Sequence, residues 1–597
     1  MIDITRLKLL QQVAYCYTDI LFSVSKQKKI IYFNKYKMTE PNFSVKTLLF
    51  DYFKKKKGYF FAYLFLILAY PLGSIVVPYQ YGKLIEQMSV GKEMKQTFIN
   101  TLIIWIASIL GTSGVSRIDT VLITDLRSYL YHNIAKFIFD IHKEDCSSIK
   151  IGELISKLSK LPYLILELFY QFRSCYTPLL YMIIFCLFYF FSVNVRLGSM
   201  ILIVILAFAG VAYLSSVSCM SSCTNAEASG DLANENLQDI LDNIISVYSA
   251  DNIEGELKAF HDKDSNLRKN MRKCLSCGSK FKLVFSTLYL VSFIIVSTYC
   301  YKLYQSKIIN LSQISSTLII MVYLLSQLDS TMQYTQDTIA YFGSIIDIQN
   351  YIDKLNTKYS QTCQHINKLN EELPIYNQEI DRIEGRVDFK NVDMCFGEDN
   401  CVLKNFSYTI QPHTKTAIVG KIGTGKSSLL KMILKLTYPN KGNVLIDGKN
   451  LPYNIVRKFV SYINQTPILF NRSLYENIVY GTNKTREDVI KLLEKYNLQN
   501  IFGKHTLDSN VGKGGTNLSG GQRQIVILLR TIFKNSSIIL LDEPTTALDE
   551  HVRNFIFNLI FEIFKDKTII MITHDPELVP KFDNILDLNN YTNIKPL

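Results

Sequence analysis

The stretch KTAIVGKIGTGKSSLL, residues 415–430, decides the fold of the C-terminal third of this 597-residue chain. An apolar run is followed by a glycine-rich turn and then by a helical pattern. Glycines let backbone N–H groups close around phosphate oxygens, and the helix N-terminus adds partial positive charge. In such a loop the lysine, Lys426, faces the β- and γ-phosphates, and Ser427 coordinates Mg²⁺. The predicted phosphate-binding residues are Gly420, Gly423, Thr424, Gly425, Lys426, Ser427 and Ser428.

A second apolar run, IILLDE at residues 538–543, ends in two carboxylates. Asp542 follows Lys426 by 116 residues, and the end of a strand is where a carboxylate can meet the metal ion. Glu543, one residue on, is placed to orient and deprotonate an attacking water. Together the two segments predict an α/β P-loop NTPase domain that binds nucleotide phosphates and Mg²⁺.

A third motif, LSGGQ at residues 518–522, lies between these two. With it, the C-terminal third resembles the ATP-binding cassette (ABC) transporters, whose signature has this sequence. The resemblance implies that the signature of one chain contacts ATP held by the loop of a second chain. The residues carried over for that contact are Ser519, Gly520, Gly521 and Gln522.

The remaining family motifs occur in the family's order. Gln465 matches the Q-loop, which implies a contact with Mg²⁺ and a link to the membrane domain. His574 matches the switch histidine that contacts the γ-phosphate, and Asp549 ends the D-loop. Phe396 lies where the family has an adenine-stacking tyrosine. The resemblance therefore makes Glu543, His574 and Gln465 the catalytic set and Ser427, Gln465 and Asp542 the metal set.

Besides Phe396, two further positions depart from the family pattern. Lys513 stands where exporters often have a glutamate that communicates with the membrane domain, which puts coupling at that point in question. Ile525 replaces the usual arginine after the signature. Neither position belongs to the phosphate or water machinery, so both leave the prediction of ATP hydrolysis unchanged.

The first half of the chain is too apolar for a soluble fold. Apolar residues make up 48% of the chain and charged residues 20%, which excludes a disordered polyelectrolyte. A membrane-spanning helix needs about 20 mostly apolar residues. Six runs meet this requirement, and they also exclude a soluble cassette ATPase that acts on nucleic acid. The six are Tyr59–Val77, Phe98–Val115, Thr177–Ser192, Leu197–Val217, Leu283–Tyr304 and Ile314–Met332.

The spacing of the runs predicts the topology. Short loops join the first to the second, the third to the fourth and the fifth to the sixth, whereas long polar segments make the other two connections. The basic run Lys54–Lys57 places the N-terminus, the long connections and the cassette in the cytoplasm. Residues 44–53 predict a helix in the membrane interface. Short coupling helices are expected near Cys146–Lys150 and Ile244–Tyr248.

The predicted fold class is a multidomain membrane protein, with an all-α six-helix transmembrane domain followed by an α/β ABC ATPase domain. The segments 151–157 and 235–240 are similar to cytoplasmic parts of ABC exporters. We expect an N-terminal cytoplasmic segment at 1–43, a transmembrane domain at 44–345, a linker at 346–384 and the nucleotide-binding domain at 385–597.

One set of motifs per chain implies a dimer of half-transporters in the lipid bilayer. A homodimer is the simplest interpretation, and a heterodimer with a related half stays open. The predicted function is ATP-driven export of a substrate that the sequence does not identify. The alternative is an ATP-gated channel or a regulatory membrane protein on the same frame. Intact catalytic residues favour the exporter, and no nucleic-acid partner is expected.

Four cysteines form a weaker pattern. Cys219 and Cys223 follow the fourth span, while Cys274 and Cys277 precede the fifth, so the two pairs are expected to face each other at similar height. Reduced cysteines that pack between helices are the favoured interpretation, and a Zn²⁺ site is the other. Asp329, Gln333 and Asp337 lie on one stripe of the sixth span, and a cavity-facing and an interfacial position are equally favoured.

Overall fold

The computed structural model describes residues 43–143, 151–372, 375–376, 380–395, 401–544 and 550–591, except the side chains of residues 151–153, 155–156, 333, 336, 372 and 550–552. Phe396, Asp549 and the coupling helix expected near residues 146–150 lie outside this part of the chain, and the stripe position Gln333 is described in its backbone only.

Helices, most of them long, account for nearly all of the described region before residue 373. A π-helical turn at Leu72–Val76 precedes α4, and another at Phe172–Tyr176 precedes α7. The helices are α1 (Val45–Lys55), α2 (Lys57–Leu66), α3 (Ala69–Pro71), α4 (Val77–Val90), α5 (Lys95–His142), α6 (Ile151–Gln171), α7 (Thr177–Val193), α8 (Val195–Asp242), α9 (Ile244–Ser249), α10 (Ile253–Gln305) and α11 (Leu311–Glu372).

Six helical segments of the described chain are long and apolar enough to cross a membrane, and each contains one of the predicted spans. Only 17% to 44% of their most apolar windows is buried inside the chain. Phe188 and Phe65, for example, are 77% and 72% exposed. Apolar surface on this scale requires lipid or a second chain to cover it. The chain is therefore an integral membrane protein.

Helices are present at residues 45–55 and 244–249, where an interfacial helix and a coupling helix were predicted. Ser44 precedes α1, and Val45, Leu48 and Tyr52 form its buried face. The short helix α9 joins α8 to α10 and leaves Ile245 81% exposed at the far end of this hairpin. The two long helices of the hairpin extend well beyond their apolar segments, so α9 lies far from the predicted membrane.

The four cysteines face each other as expected, but they are not reduced. Cys219 is bonded to Cys277 and Cys223 to Cys274, which ties α8 to α10 through two disulfides. The favoured interpretation of reduced packing cysteines is therefore wrong for this structure. That interpretation rested on a reducing compartment, whereas the packing of α8 against α10 brings each pair of cysteines to the distance at which a disulfide forms.

The expected boundary between transmembrane domain and linker at residue 345 is not a structural break. Helix α11 continues from the sixth span without interruption to Glu372. Buried Ile348, Ile352 and Tyr359 continue the packed face of this helix beyond the span. Because that apolar face persists among the polar residues, the helix has no reason to end where the hydrophobicity drops.

The cassette combines two sheets. An antiparallel sheet has the order β2–β1–β4, and a parallel sheet has the order β5–β6–β7–β3–β8. The strands are β1 (Val387–Cys395), β2 (Cys401–Ile410), β3 (Lys415–Val419), β4 (Lys441–Ile446), β5 (Val460–Ile463), β6 (Ile538–Asp542), β7 (Thr568–Ile572) and β8 (Asn584–Asp587). The helices are α12 (Lys426–Ile433), α13 (Tyr453–Phe459), α14 (Leu474–Ile478), α15 (Arg486–Lys495), α16 (Gly520–Lys534) and α17 (Glu550–Ile563).

Strands β6 and β7 are buried at every residue, as expected for the centre of a parallel sheet covered on both faces. Their carboxyl ends, with those of β3 and β5, form one edge of the sheet. Ligands of open parallel sheets bind outside this edge. The phosphate-binding loop follows β3 at this edge. The sheet order therefore brings the cassette motifs that follow β3, β5, β6 and β7 to the same edge of the sheet.

Candidate nucleotide site

The predicted phosphate-binding loop connects β3 to α12. Gly420, Gly423 and Gly425 have φ values of 152°, 85° and 86°, a backbone region that glycine enters without strain. A Cβ atom at Gly425 would lie 3.0 Å from the Val402 side chain, so this position also requires a small residue. The loop therefore has the sharp turn and the helix N-terminus that an anion site needs.

The Lys426 side chain is folded into this loop. Its ammonium group donates to the carbonyl oxygens of Gly420 at 2.8 Å and of Lys421 at 2.9 Å. Burial lowers the pKa of Lys426, and the nearby Glu543 and Asp542 carboxylates oppose that shift. The carbonyl oxygens hold the charge at the mouth of the loop, where a phosphate group would replace them as its partner.

The Asp542 carboxylate lies at the end of β6 between two hydroxyl groups. Ser427 donates to Oδ1 at 3.2 Å, and Tyr462, on β5, donates to Oδ2 at 2.9 Å. Burial raises the pKa of Tyr462, as does the neighbouring carboxylate, so the phenol stays a donor. Hydroxyl and carboxylate oxygens are hard ligands of the kind that Mg²⁺ takes.

The Glu543 carboxylate lies between the other two predicted catalytic side chains. Gln465 Nε2 donates to its Oε2 at 3.0 Å, and His574 Nε2 is 3.2 Å from its Oε1. The Glu543 backbone has φ of 47°, a left-handed conformation that is uncommon for residues other than glycine. Its N–H is fixed by the Ile572 carbonyl oxygen at 3.2 Å. This backbone turns the carboxylate out of the strand towards Gln465 and His574.

The signature forms the start of α16. Ser519 is its N-cap, accepting from the Gln522 N–H at 3.2 Å, while the Gln522 side chain accepts from the Ser519 N–H at 2.9 Å. Gln522 also donates to the Ile501 carbonyl oxygen at 3.1 Å. Ser519 itself is exposed. Within the described residues, no hydrogen bond or ion pair joins residues 519–522 to the phosphate-binding loop of the same chain.

The departures at Ile525 and Lys513 have different environments. Ile525 is 1% exposed and packs in the core beneath α16 with Val526 and Leu529. An arginine at this position would be buried, so the isoleucine suits this core. Lys513 lies exposed in a short 3₁₀ turn at Lys513–Gly515, where it is free to contact another domain.

A family model described as ABC transporter matches residues 403–546, which contain the phosphate-binding loop, the signature and both acidic residues. The C-terminal domain is an ABC transporter domain. The resemblance inferred from the motifs is thus confirmed, and nucleotide binding follows from the domain.

Comparisons over longer stretches give the same result. The chain is 34% identical to a mitochondrial iron-sulfur clusters transporter ATM1 of Kluyveromyces lactis, over 34% of this chain and 29% of that one. It is 24% identical to the β-(1→2)glucan export ATP-binding/permease protein NdvA of Agrobacterium vitis, over 67% of both. The first alignment therefore spans less than a third of that relative.

The predicted fold class is also confirmed. A solved bacterial Atm1-family ABC exporter with ATP bound matches 89% of this chain and 94% of its own, with a TM-score of 0.72 and 18% identity. At this identity the likeness shows the fold, which is six membrane helices ahead of the ABC domain.

The structure brings most of the predicted site residues of the described chain to one sheet edge, and it adds Tyr462. Sequence reasoning missed this tyrosine because it carries no motif. The only signal in the sequence was a tyrosine in the short apolar strand that precedes Gln465. Its contact with Asp542 could not be foreseen, because it depends on the pairing of β5 with β6. Phe396 and Asp549 stay predictions, since both lie outside the described residues.

Proposed function

We propose that this chain is half of an ATP-driven exporter and that two chains hydrolyse ATP at the interface of their cassettes. The observation that carries the proposal is the position of Glu543 between Gln465 and His574. A carboxylate there accepts the proton of a water that attacks the γ-phosphate, while the amide and the imidazole orient the reacting groups.

The metal side of the site supports the same reaction. Mg²⁺ would be held by the Ser427 hydroxyl, the Asp542 carboxylate and the Gln465 amide, where it neutralises phosphate charge. Lys426 would move from the loop carbonyl oxygens to the β- and γ-phosphates, a small displacement because those oxygens line the same loop. Glu543 adjoins this set through its hydrogen bond from Gln465, so its carboxylate would be next to the metal ligands and able to accept the proton of an attacking water.

The exposed signature supports a dimer. Ser519 and the N-terminus of α16 offer a hydroxyl group and the positive end of a helix, and neither is used by the described phosphate-binding loop of the same chain. A second chain that places its own Ser519 over the γ-phosphate would complete each site. A homodimer is proposed, with each chain supplying one loop and one signature.

The substrate is proposed only as a compound that is moved across the membrane from the side on which the cassette lies. We propose that this side is the cytoplasm. The names of the relatives do not agree on a cargo, since one refers to iron-sulfur clusters and another to a glucan. Coupling would run through the exposed helix α9, which is carried by the rigid pair α8 and α10.

The test uses the purified chain in liposomes. Its ATPase activity should be stimulated by a member of a panel of lipids, peptides and thiol conjugates, and that compound should accumulate in vesicles against its gradient. Glu543→Gln should abolish the accumulation. Flux down a gradient that needs ATP but persists in Glu543→Gln would instead identify an ATP-gated channel and overturn the exporter.

The dimer is tested by mixing two inactive variants, Ser519→Arg and Lys426→Ala. In a mixed dimer both lesions lie in one composite site, and the other site contains only wild-type parts. We expect the mixture to regain hydrolysis that neither variant shows alone. Mixtures that stay inactive, together with no ATP-dependent cross-link between Ser519→Cys of one chain and Gly423→Cys of the other, would contradict the two-chain site.

A further inference from the structure

The four bonded cysteines lie in one layer of the helix pair α8 and α10. Cys219 and Cys223 are one turn apart on α8, and Cys274 and Cys277 are one turn apart on α10. The Cα atoms are 5.7 Å apart for Cys219 and Cys277 and 4.8 Å apart for Cys223 and Cys274. Four sulfur atoms therefore occupy a single compact site, at the edge of the fourth and fifth spans.

The packing of these helices does not depend on the disulfides alone. Small residues continue the same face of α8 past the cysteines, because Ala226, Ser229 and Ala233 are all buried. Asn270 of α10 donates to Ser229 Oγ at 2.7 Å, and Gly278, next to Cys277, is also buried. Small side chains allow two helices to approach closely, so the sulfur atoms would stay together after the disulfides are broken.

We propose that this cluster, when reduced, binds one soft divalent cation of the Zn²⁺ class through all four sulfur atoms. Each disulfide takes two electrons and two protons from a dithiol reductant, which becomes a disulfide itself. The cation then displaces the thiol protons into solvent. The proposal is independent of the exporter function, because it concerns metal content and not hydrolysis.

The geometry suits a tetrahedral site. Zn–S bonds of about 2.3 Å place neighbouring sulfur atoms about 3.8 Å apart, compared with about 2.04 Å in a disulfide. Each cross-helix pair therefore needs to open by less than 2 Å. Rotation about the Cα–Cβ bonds of four side chains provides most of this movement. Spacings of four residues on α8 and three on α10 keep each pair of ligands on one face of its helix.

The surrounding charge favours an anionic metal centre. Four thiolates around a divalent cation carry two negative charges. Lys273 and Lys280 lie one helical turn before and after Cys277, so both can approach the centre. Glu227, one turn after Cys223, is tied to Lys160 at 3.3 Å. As bonded disulfides these cysteines are not metal ligands, and in this bonded state the described residues contain no group of three or more His, Cys, Asp or Glu side chains that could hold a metal ion.

The experiment titrates Co²⁺, as a spectroscopic substitute for Zn²⁺, into the full-length chain in detergent without oxygen. After treatment with a dithiol and its removal, we expect one Co²⁺ per chain, an intense sulfur-to-cobalt absorption band in the near ultraviolet, and loss of the band when Zn²⁺ is added. The untreated, disulfide-bonded protein should take up no Co²⁺ at this site.

Two double variants separate this cluster from other thiols. Cys219→Ser/Cys274→Ser removes one sulfur atom of each disulfide and should abolish the band. Cys395→Ser/Cys401→Ser removes the cassette disulfide and should leave the band unchanged. A reduced wild-type chain that binds no Co²⁺ would overturn the proposal, and this measurement does not depend on the folding of any variant. An undiminished band in Cys219→Ser/Cys274→Ser would also overturn it.

Discussion

The cassette and the membrane helices differ in how their sequences record function. In the cassette, phosphate chemistry needs particular side chains at fixed places, so Lys426, Asp542 and Glu543 identify themselves by motif and order. In the membrane helices, lipid requires only that the outer surface be apolar. Many sequences satisfy that requirement, so the contacts that hold the helices together, such as Asp119 with Arg173, have no motif. Motifs therefore predict chemistry, whereas hydrophobicity predicts only the number of spans.

The largest effect is expected where the chemistry is most specific. Glu543→Gln should keep ATP binding and lower the hydrolysis rate by about 10² to 10⁴, because the amide holds a water but cannot accept its proton. Steady-state ATPase activity and nucleotide affinity, measured on the same preparation, check this. The matched control is Glu577→Gln, an exposed glutamate of the same domain, which should leave both values unchanged. Near-normal hydrolysis by Glu543→Gln would show that the motif does not identify the catalytic base, and so would contradict the claim that motifs predict the chemistry of the cassette.

The second prediction concerns a contact in the membrane helices. Asp119 of α5 pairs with Arg173, and their side chains are only 7% and 17% exposed. Removing one partner of a buried ion pair leaves the other charge uncompensated, which typically costs about 3 to 5 kcal/mol. We expect Asp119→Leu to lower the midpoint of thermal unfolding of the detergent-solubilised chain strongly, and Asp119→Leu/Arg173→Leu to restore most of it. A single variant as stable as wild type would show that the pair is not structural.

How much of the structure could be predicted from the sequence depends on whether a feature is set by a local pattern or by packing. The six spans, the helix α9 and the two strands that lead into the phosphate-binding loop and into Asp542 were predicted because each depends on a local pattern. The bonded cysteine pairs were placed face to face correctly, but their oxidation was not predicted, since it depends on how closely α8 and α10 approach. The continuation of α11 to Glu372 and the π-helical turns also depend on packing, which one sequence does not display.

A smaller loss of stability is expected at a glycine where two membrane helices pack closely. A Cβ atom at Gly82 of α4 would lie 2.4 Å from the Ser312 carbonyl oxygen and 2.6 Å from Ser316 Oγ, both on α11. Because the first of these is backbone, the helices must separate. Gly82→Ala should destabilise the chain by about 1 to 3 kcal/mol. Gly210→Ala is the control, since no atom lies within 4 Å of its added Cβ. It should be neutral or slightly stabilising, and equal effects of both variants would contradict the close contact.

The smallest expected effect concerns Tyr462 of the cassette site. Like the contacts between the membrane helices, this residue belongs to no sequence motif. Its hydroxyl group donates to Asp542 Oδ2 and leaves Oδ1 to Ser427. Residues that orient a metal ligand without touching the metal typically change metal affinity by about 10 to 100-fold when they are altered. Tyr462→Phe keeps the ring and removes only this donor. We expect the Mg²⁺ concentration for half-maximal ATPase activity to rise about tenfold, at the lower end of that range, because Ser427 still holds Oδ1.

A general loss of cassette stability would produce a different result from this positioning role. Tyr462→Phe should leave nucleotide affinity without Mg²⁺ unchanged and should reach nearly wild-type rates when Mg²⁺ is saturating. Tyr496→Phe, a partly buried tyrosine on the same domain that packs against the core, is the control and should not shift the Mg²⁺ dependence. If Tyr462→Phe lowers the maximal rate without moving the Mg²⁺ midpoint, the hydroxyl group does not act through Asp542. Motif residues alone would then account for the metal chemistry of this site.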